Sequence, residues 1–183
     1  FLRALLNHFS RAKDEDIDPK DYLEFVKAQT DIDDEERDRL LEIAGAYETY
    51  EQLMHDNNVL DFGALIMYTL KLFRKRPAIL KQYREQFKYI IVDEFQDTNK
   101  AQYDLLKLIA AEQNPNLFVV GDDDQIIYQW NGASPERLQS LRTDFGGTME
   151  MVQLPENYRC PHEIVALANK LIVHNQMRTP GKQ

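Results

Sequence analysis

The 183-residue sequence contains one cysteine, Cys160. A single thiol cannot form an internal disulfide, which indicates a reducing compartment, and we expect a cytoplasmic protein. No apolar run approaches the roughly 20 residues that cross a bilayer, so no membrane span is predicted. The four histidines lack the spacing of metal ligands; they are His8, His55, His162 and His174.

Basic residues are scarce, with 22 Lys and Arg against 31 Asp and Glu, and the net charge is −9. Taken alone, this balance argues against a nucleic-acid-binding protein, because phosphate contacts require Lys and Arg. Part of the acid is concentrated in residues 31–38, which we interpret as a solvated helix start. The hydrophobic content of 43% is ordinary for a globular protein with a core.

The first half of the chain predicts helices. Apolar spacing predicts a helix from Phe1 to Ala12 and a long helix that ends at residues 56–58. Further helix starts are predicted from capping residues and prolines, namely Asp18-Pro19, Asp33 or Asp34, Asp61 and Arg76-Pro77.

The second half predicts alternating strands and helices. Short apolar strands are expected at residues 89–92, 117–120 and 149–154, and helices at 100–113, from Ser134-Pro135, and from Cys160-Pro161 to His174. Strands that are apolar at every position are typical of parallel sheets buried on both faces by helices. We therefore predict a doubly wound α/β domain from about residue 88.

Two of these strands end in acid, at Asp93-Glu94 and at Asp122-Asp123-Asp124. Ligands of open α/β sheets bind at the carboxyl ends of the strands. A carboxylate there is typical of a Mg²⁺ ligand, and the metal would relieve the repulsion between neighbouring acids. The same letters are also compatible with ordinary turn or N-cap residues.

Three motifs occur in order along the chain: DEFQDTN (93–99), GDDDQIIYQWNGA (121–133) and LPENYRC (154–160). They resemble consecutive motifs of the UvrD/Rep/PcrA family, superfamily I DNA helicases that move 3′ to 5′ on single strands. LDFGALI (60–66) resembles a further family segment. The resemblance implies a RecA-like P-loop NTPase domain that uses ATP and Mg²⁺.

The resemblance implies roles around the nucleotide. Asp93 would be the Mg²⁺ ligand, and Glu94 would activate the hydrolytic water. Gln125 would sense the γ-phosphate, and Arg159 would be an arginine finger. Tyr158 would stack on the adenine.

It also implies residues that bind DNA and couple it to the nucleotide. Gln96 and Asp97 would belong to the network that links the two sites. Trp130 and Tyr128 would stack on unpaired bases without reading sequence, and Phe62 is a further candidate. Trp130 could instead be a core residue, and Phe62 could simply anchor its helix.

Two letters depart from the family pattern, since Ile126 replaces a serine and Asn131 replaces an arginine. The loss of the arginine predicts weaker DNA contact at this motif. Cys160, where the family usually has serine, is interpreted as a cap or packing residue.

The family's phosphate-binding loop G-x-x-x-x-G-K-[ST] is absent from these residues, because only Gly181 precedes a lysine and Gln176 stands where its first glycine would be. The chain is therefore predicted to be a middle part of a helicase. Residues 1–56 would belong to a helical insertion (1B), 57–157 to the first RecA-like domain (1A) and 158–183 to the second (2A).

Three functions are compatible with these residues. The first is an ATP-dependent DNA helicase acting on single strands and duplex junctions, with repair or replication proteins as partners, of which this chain alone is inactive. The second is a non-catalytic helicase-like module that binds DNA or protein. The third is a metal-dependent nuclease built on Asp93, Glu94, Asp122 and Asp124, which would leave Gln125 and Arg159 without a role.

Overall fold

The computed structural model describes residues 1–110, 116–129, 132–147, 149–175 and 178. Within them the α-helices and β-strands are α1 Leu2–Asp14, α2 Pro19–Ala28, α3 Asp34–Asp56, α4 Phe62–Lys75, α5 Pro77–Gln86, β1 Ile90–Val92, α6 Lys100–Ile109, β2 Leu117–Val119, α7 Pro135–Asp144 and α8 His162–Ile172. None of the helices in this described part has the length and apolarity that crossing a membrane requires.

The chain divides into two compact units. The helical unit comprises Phe1–Phe87 and Asn99–Ile109 and contains α1 to α6. The strand unit comprises Lys88–Thr98 and Ala110–Gln183 and contains β1, β2, α7 and α8.

The predicted helix starts of the helical unit are confirmed. Asp18, Asp33 and Asp61 are the N-caps of α2, α3 and α4, and each carboxylate accepts the backbone N–H three residues further on at 2.7–2.8 Å. Pro19 and Pro77 begin α2 and α5. The acidic run forms the start of α3, where carboxylates complement the positive end of the helix dipole.

The core of the helical unit is built around stacked aromatic rings. Phe9 of α1 and Tyr47 of α3 are buried, with ring centroids 4.7 Å apart and nearly parallel. The Tyr47 hydroxyl donates to the Ile17 carbonyl at 3.0 Å, which satisfies its polar group away from water. Helix α4 buries one face, formed by Ala64, Met67, Leu70 and Phe73, whose spacing of three residues is typical of a helix packed on its neighbours.

Asp14 lies at the end of α1 and accepts a hydrogen bond from Asn99 Nδ2 at 2.7 Å. Burial raises the pKa of the Asp14 carboxyl to about 6, and the nearby charges of Glu15 and Asp61 add to this rise, against a smaller opposing effect of Arg11. Since the pKa in the folded protein is above its ordinary value, ionisation of Asp14 opposes folding. Stability is lost as the pH rises from about 4 through about 6.

We expect Asp14→Asn to stabilise the protein at pH 8 by about 1 kcal/mol, because the amide carries no charge and solvent already screens part of the carboxylate. The gain should vanish near pH 3.5, where Asp14 is protonated in both states. Urea unfolding at several pH values measures it, with exposed Asp38→Asn of α3 as the control. A gain that does not depend on pH would contradict this prediction.

The strand unit contains a two-stranded parallel sheet. Ile90, Ile91 and Val92 of β1 pair in register with Leu117, Phe118 and Val119 of β2. The parallel pairing predicted for these two strands is confirmed. Burial on both faces, however, is a wrong prediction, because Ile91 is 75% exposed and Phe118 64% exposed. Apolar side chains allow a strand to be buried on both faces, but whether it is buried depends on which other helices or strands pack against those faces.

The third predicted strand, residues 149–154, is absent from the structure, in which this segment has no regular secondary structure. Its side chains are largely exposed, including Val152 and Leu154. A strand requires a hydrogen-bonded neighbour, and within the described residues this segment pairs with neither β1 nor β2. Helix α6 ends at Ile109 and does not include Ala110, although a helix to Gln113 was predicted; residues 111–113 lie outside the described residues.

Candidate functional site

The two acidic strand ends lie next to each other in the strand unit. Val120 N donates to the Val92 carbonyl at 2.8 Å, and Phe95 N donates to the Val120 carbonyl at 3.0 Å, so strand pairing continues past both strands. Between these bonds the chain turns at Glu94, whose φ of 49° lies in the left-handed region. A non-glycine residue rarely adopts this conformation, and such residues are concentrated at functional sites.

A continuous series of hydrogen bonds joins the strand ends, and we call its members Glu94, Gln96, Asp122 and Gln125 the strand-end network. Gln96 Nε2 donates to Glu94 Oε2 at 2.6 Å, and Gln96 Oε1 accepts Asp122 N at 3.0 Å. Gln125 Nε2 then donates to Asp122 Oδ2 at 2.8 Å.

Gln96 is the centre of this network and is 3% exposed. The orientation of its amide follows from chemistry, because the backbone N–H of Asp122 can only donate and must face the carbonyl oxygen. The amide nitrogen is therefore directed at the Glu94 carboxylate, which fixes the position of that carboxylate.

Gly121 permits the close approach of the second strand end. A Cβ at this position would lie 3.2 Å from Gln96 Oε1, which is tighter than ordinary contact, and 3.4 Å from Phe95 Cβ. Glycine at this position therefore lets the loop after β2 reach the Gln96 side chain.

Asp93 has the chemistry of a ligand for a hard cation. It is exposed directly after β1, and its Oδ1 accepts the Glu94 N–H at 2.9 Å. Among the described residues no hydrogen bond to its second oxygen is formed. One carboxylate with a free oxygen, completed by substrate phosphates, suffices for Mg²⁺, so the residue fits the predicted metal.

The three carboxylates Asp122, Asp123 and Asp124 place ligand atoms within 4.8 Å of one another. Protein groups already engage the oxygens of Asp122 and Asp124. Arg178 Nε and Nη2 donate to Asp124 at 2.8–3.1 Å, and Asp122 accepts from the Gln125 amide and the Asp124 N–H. This group is therefore a structural part of the loop after β2.

Tyr158 and Arg159 are exposed in the strand unit, Tyr158 at 90%. The Tyr158 hydroxyl donates to Glu156, and Asn157 Oδ1 accepts the backbone N–H groups of Arg159 and Cys160 at 3.0 and 2.9 Å. Within the described part of the chain, neither Tyr158 nor Arg159 forms a hydrogen bond or ion pair with Asp93 or Glu94. The structure therefore brings together the two strand ends and leaves the third motif separate.

Of the predicted base-stacking residues, Tyr128 is 42% exposed in the strand unit, and Phe62 is 88% exposed at the first position of α4 in the helical unit. Trp130 and the substituted Asn131 lie outside the described residues. An exposed ring at a helix start gains nothing from the core, so the helix-anchor interpretation of Phe62 is disfavoured.

Asp122 is the member of the network that the sequence proposed only as an acidic metal ligand and not as a hydrogen-bond partner of Gln96 and Gln125. Its carboxylate caps a short 3₁₀ helix, Asp123–Gln125, and receives the Gln125 amide three residues further on. In the sequence, an aspartate followed three residues later by a glutamine is the pattern that could have indicated this hydrogen bond. Asp97, predicted to couple the two sites, has a buried Oδ1 that accepts no hydrogen bond within the described residues.

Known proteins resemble this chain along most of its length. The model of the UvrD/REP helicase N-terminal domain matches residues 2–146. The ATP-dependent DNA helicase PcrA of Leuconostoc citreum is 38% identical over 180 residues, which are 98% of this chain and 23% of that protein. PcrA of Bacillus subtilis is 39% identical over 178 residues, 97% of this chain and 23% of the relative.

PcrA of Staphylococcus epidermidis is 44% identical over 138 residues, 75% of this chain and 19% of that helicase. The chain thus spans about a fifth of the length of the curated relatives that it matches.

Proposed function

The chain belongs to the UvrD/REP helicase family, and from this we propose that it is part of an ATP-dependent DNA helicase. The full-length protein would couple ATP hydrolysis to 3′-to-5′ movement on single-stranded DNA and to the unwinding of duplex junctions. Residues 1–56, 57–157 and 158–183 would belong to domains 1B, 1A and 2A.

The strand-end network is the observation that carries this proposal. It holds a carboxylate, Glu94, beside the exposed Asp93 and connects Glu94 through Gln96 and Asp122 to Gln125 on the neighbouring strand end. Hydrolysis of a phosphoanhydride requires a base placed near the attacking water and a group that responds to the terminal phosphate. Glu94 and Gln125 are the residues of this chain that would perform these two tasks.

In the proposed mechanism Gln96 keeps the Glu94 carboxylate oriented by donating to Oε2, and the other oxygen of Glu94 receives the proton of the attacking water. Asp93 would hold Mg²⁺, which supplies neutralisation of phosphate charge when bound. A γ-phosphate near Gln125 would compete with Asp122 for its amide. Loss of that hydrogen bond would alter the loop after β2, which leads to Tyr128.

Tyr158 and Arg159 would complete the nucleotide site. Both side chains are exposed, so a planar adenine could stack on the tyrosine ring and phosphate oxygens could bind the guanidinium fork. Arg159 would then stabilise charge on the transferred phosphoryl group.

Trp130→Ala in the full-length protein should weaken single-strand binding by about 1–3 kcal/mol, because one base loses its aromatic partner. Fluorescence anisotropy with oligo-dT and with a mixed sequence should give similar losses, since stacking reads no sequence. Phe25→Ala, which removes an exposed aromatic ring of α2, is the control. Unchanged affinity for both oligonucleotides would assign Trp130 to the core.

Two other functions remain testable. A non-catalytic helicase-like module is favoured by the replacement of the family arginine with Asn131, but it leaves Glu94 without a use. A nuclease is disfavoured because Asp122 and Asp124 are occupied by protein groups.

The deciding experiment is ATPase activity with and without single-stranded DNA, on this chain and on the full-length protein. We expect turnover by the full-length protein only with DNA, and none by this chain alone. A full-length protein that is silent under both conditions would support the non-catalytic module, and DNA cleavage with Mg²⁺ in the absence of ATP would support the nuclease.

A further inference from the structure

A completely buried lysine lies in the helical unit. The Lys13 side chain is 0% exposed, and its Nζ lies 2.5 Å from Glu51 Oε1 and 2.6 Å from Asp61 Oδ2. Nζ also lies 4.8 Å from the centroid of the Tyr50 ring. A buried charge is costly unless it is paired, and here two carboxylates and a ring face compensate it.

The same cluster continues through tyrosine hydroxyls. The Tyr50 hydroxyl donates to Asp61 Oδ2 at 2.8 Å, and the Tyr68 hydroxyl donates to Glu51 Oε2 at 3.0 Å. Asp61 thus receives two donors on one oxygen, while its Oδ1 caps α4 through Ala64 N. Burial raises the pKa of Asp61, but the hydrogen bonds from Lys13, Ala64 and Tyr50 outweigh it and keep the pKa low.

Asp61 precedes Phe62 in the chain, and Lys13 also contacts Gly63, which follows Phe62. A Cβ on Gly63 would lie 2.9 Å from Lys13 Cβ and 3.1 Å from Lys13 Cδ, so the aliphatic stem of the lysine lies directly against the Gly63 backbone. Phe62, whose ring is 88% exposed, therefore stands between two residues that Lys13 contacts.

We propose that Lys13 is a positioning residue that holds the Phe62 ring in place for stacking on a single-stranded base. The first turn of a helix frays unless its cap is fixed, and the direction of an exposed ring at the first position follows the backbone. A ring already fixed before binding loses less conformational freedom when a base stacks on it. This inference rests on the proposed DNA-binding function.

The test is a double-mutant cycle in the full-length protein with Lys13→Met and Phe62→Ala, read out as affinity for oligo-dT. We expect each single variant to weaken binding about fivefold, the low end of what one base stack contributes, and the double variant to be no weaker than Phe62→Ala. Lys20→Met, which removes an exposed lysine of α2, is the matched control and should bind normally.

A spectroscopic readout separates positioning from general loss of structure. An oligonucleotide scanned with 2-aminopurine should have one position whose fluorescence is quenched by the protein and is restored equally by Lys13→Met and Phe62→Ala. A second position, at which Trp130→Ala removes the quenching, should remain quenched in Lys13→Met and in Phe62→Ala. If Lys13→Met does not fold, Tyr50→Phe removes one hydrogen bond to Asp61 and should give a weaker loss of the same signal.

Additive losses in the cycle, or a Lys13→Met protein that retains the Phe62-dependent quenching, would overturn the inference and leave the proposed function intact. Unchanged binding by Phe62→Ala would also overturn it. Failure of Trp130→Ala to weaken binding, together with an ATPase that does not respond to DNA, would instead overturn the proposed function itself.

Discussion

Replacing Glu94 by glutamine in the full-length protein is expected to abolish DNA-stimulated ATP hydrolysis while nucleotide binding is retained. The amide has the shape of the carboxylate and can still accept the hydrogen bond that Gln96 Nε2 donates to Glu94 Oε2. It cannot accept the proton of the attacking water, so turnover should fall by about 100-fold to 10,000-fold, the usual contribution of a general base.

The measurement is steady-state ATPase activity with saturating single-stranded DNA, together with equilibrium binding of a fluorescent ATP analogue. Glu85→Gln is the matched control, since Glu85 is an exposed carboxylate on α5 whose partner Lys81 lies 3.8 Å away. Turnover that persists in Glu94→Gln would remove the base assignment. Loss of nucleotide binding would show that Glu94 contributes to the binding of ATP and not to the chemical step.

The second large effect is expected from Gln96→Glu, which reverses the character of the buried contact at the centre of the strand-end network. The 2.6 Å hydrogen bond from Gln96 Nε2 to Glu94 Oε2 would become a contact between two carboxylates. Like charges at this distance cannot both ionise without a large cost, so the two residues would share a proton at neutral pH. Glu94 would then be unable to act as a base.

We expect ATPase activity at pH 7 to fall by about 100-fold, approaching the Glu94→Gln value, and to recover in part as the pH rises and the shared proton is lost. The pH profile distinguishes this variant from Glu94→Gln, which should be inactive at every pH. Gln82→Glu on exposed α5 adds the same charge away from the network and serves as the control. A flat profile would argue that Gln96 does not hold Glu94 during turnover.

Much of the helical unit could be predicted because its signals are local. Asp18, Asp33 and Asp61 cap the helices that they precede, since the caps depend on the chain within three residues. Parallel pairing of β1 with β2 was also predictable, because short strands that are apolar at every position and are connected through a helix are typical of parallel sheets.

Three features could not be predicted, since each depends on residues distant in sequence. Residues 149–154 have strand-like letters but find no partner strand in the described part of the chain. Ile91 and Phe118 look like core residues and are exposed. Nothing in the local sequence around Lys13 indicates that it pairs with Glu51 and Asp61.

By itself the sequence determined the capped helix starts, the two paired strands and the motifs that place this chain in its family, because these depend on short-range order and on residue identity. Only the tertiary structure decided that Gln96 joins Glu94 to Asp122 and that Lys13 contacts both neighbours of Phe62. The contacts of Gln96 with Asp122 and of Lys13 with Asp61 and Gly63 join residues 26 to 50 positions apart in the chain. The free energy of such contacts depends on burial and on the distance between the groups. Both are set by the packing of the folded chain and cannot be read from the local sequence.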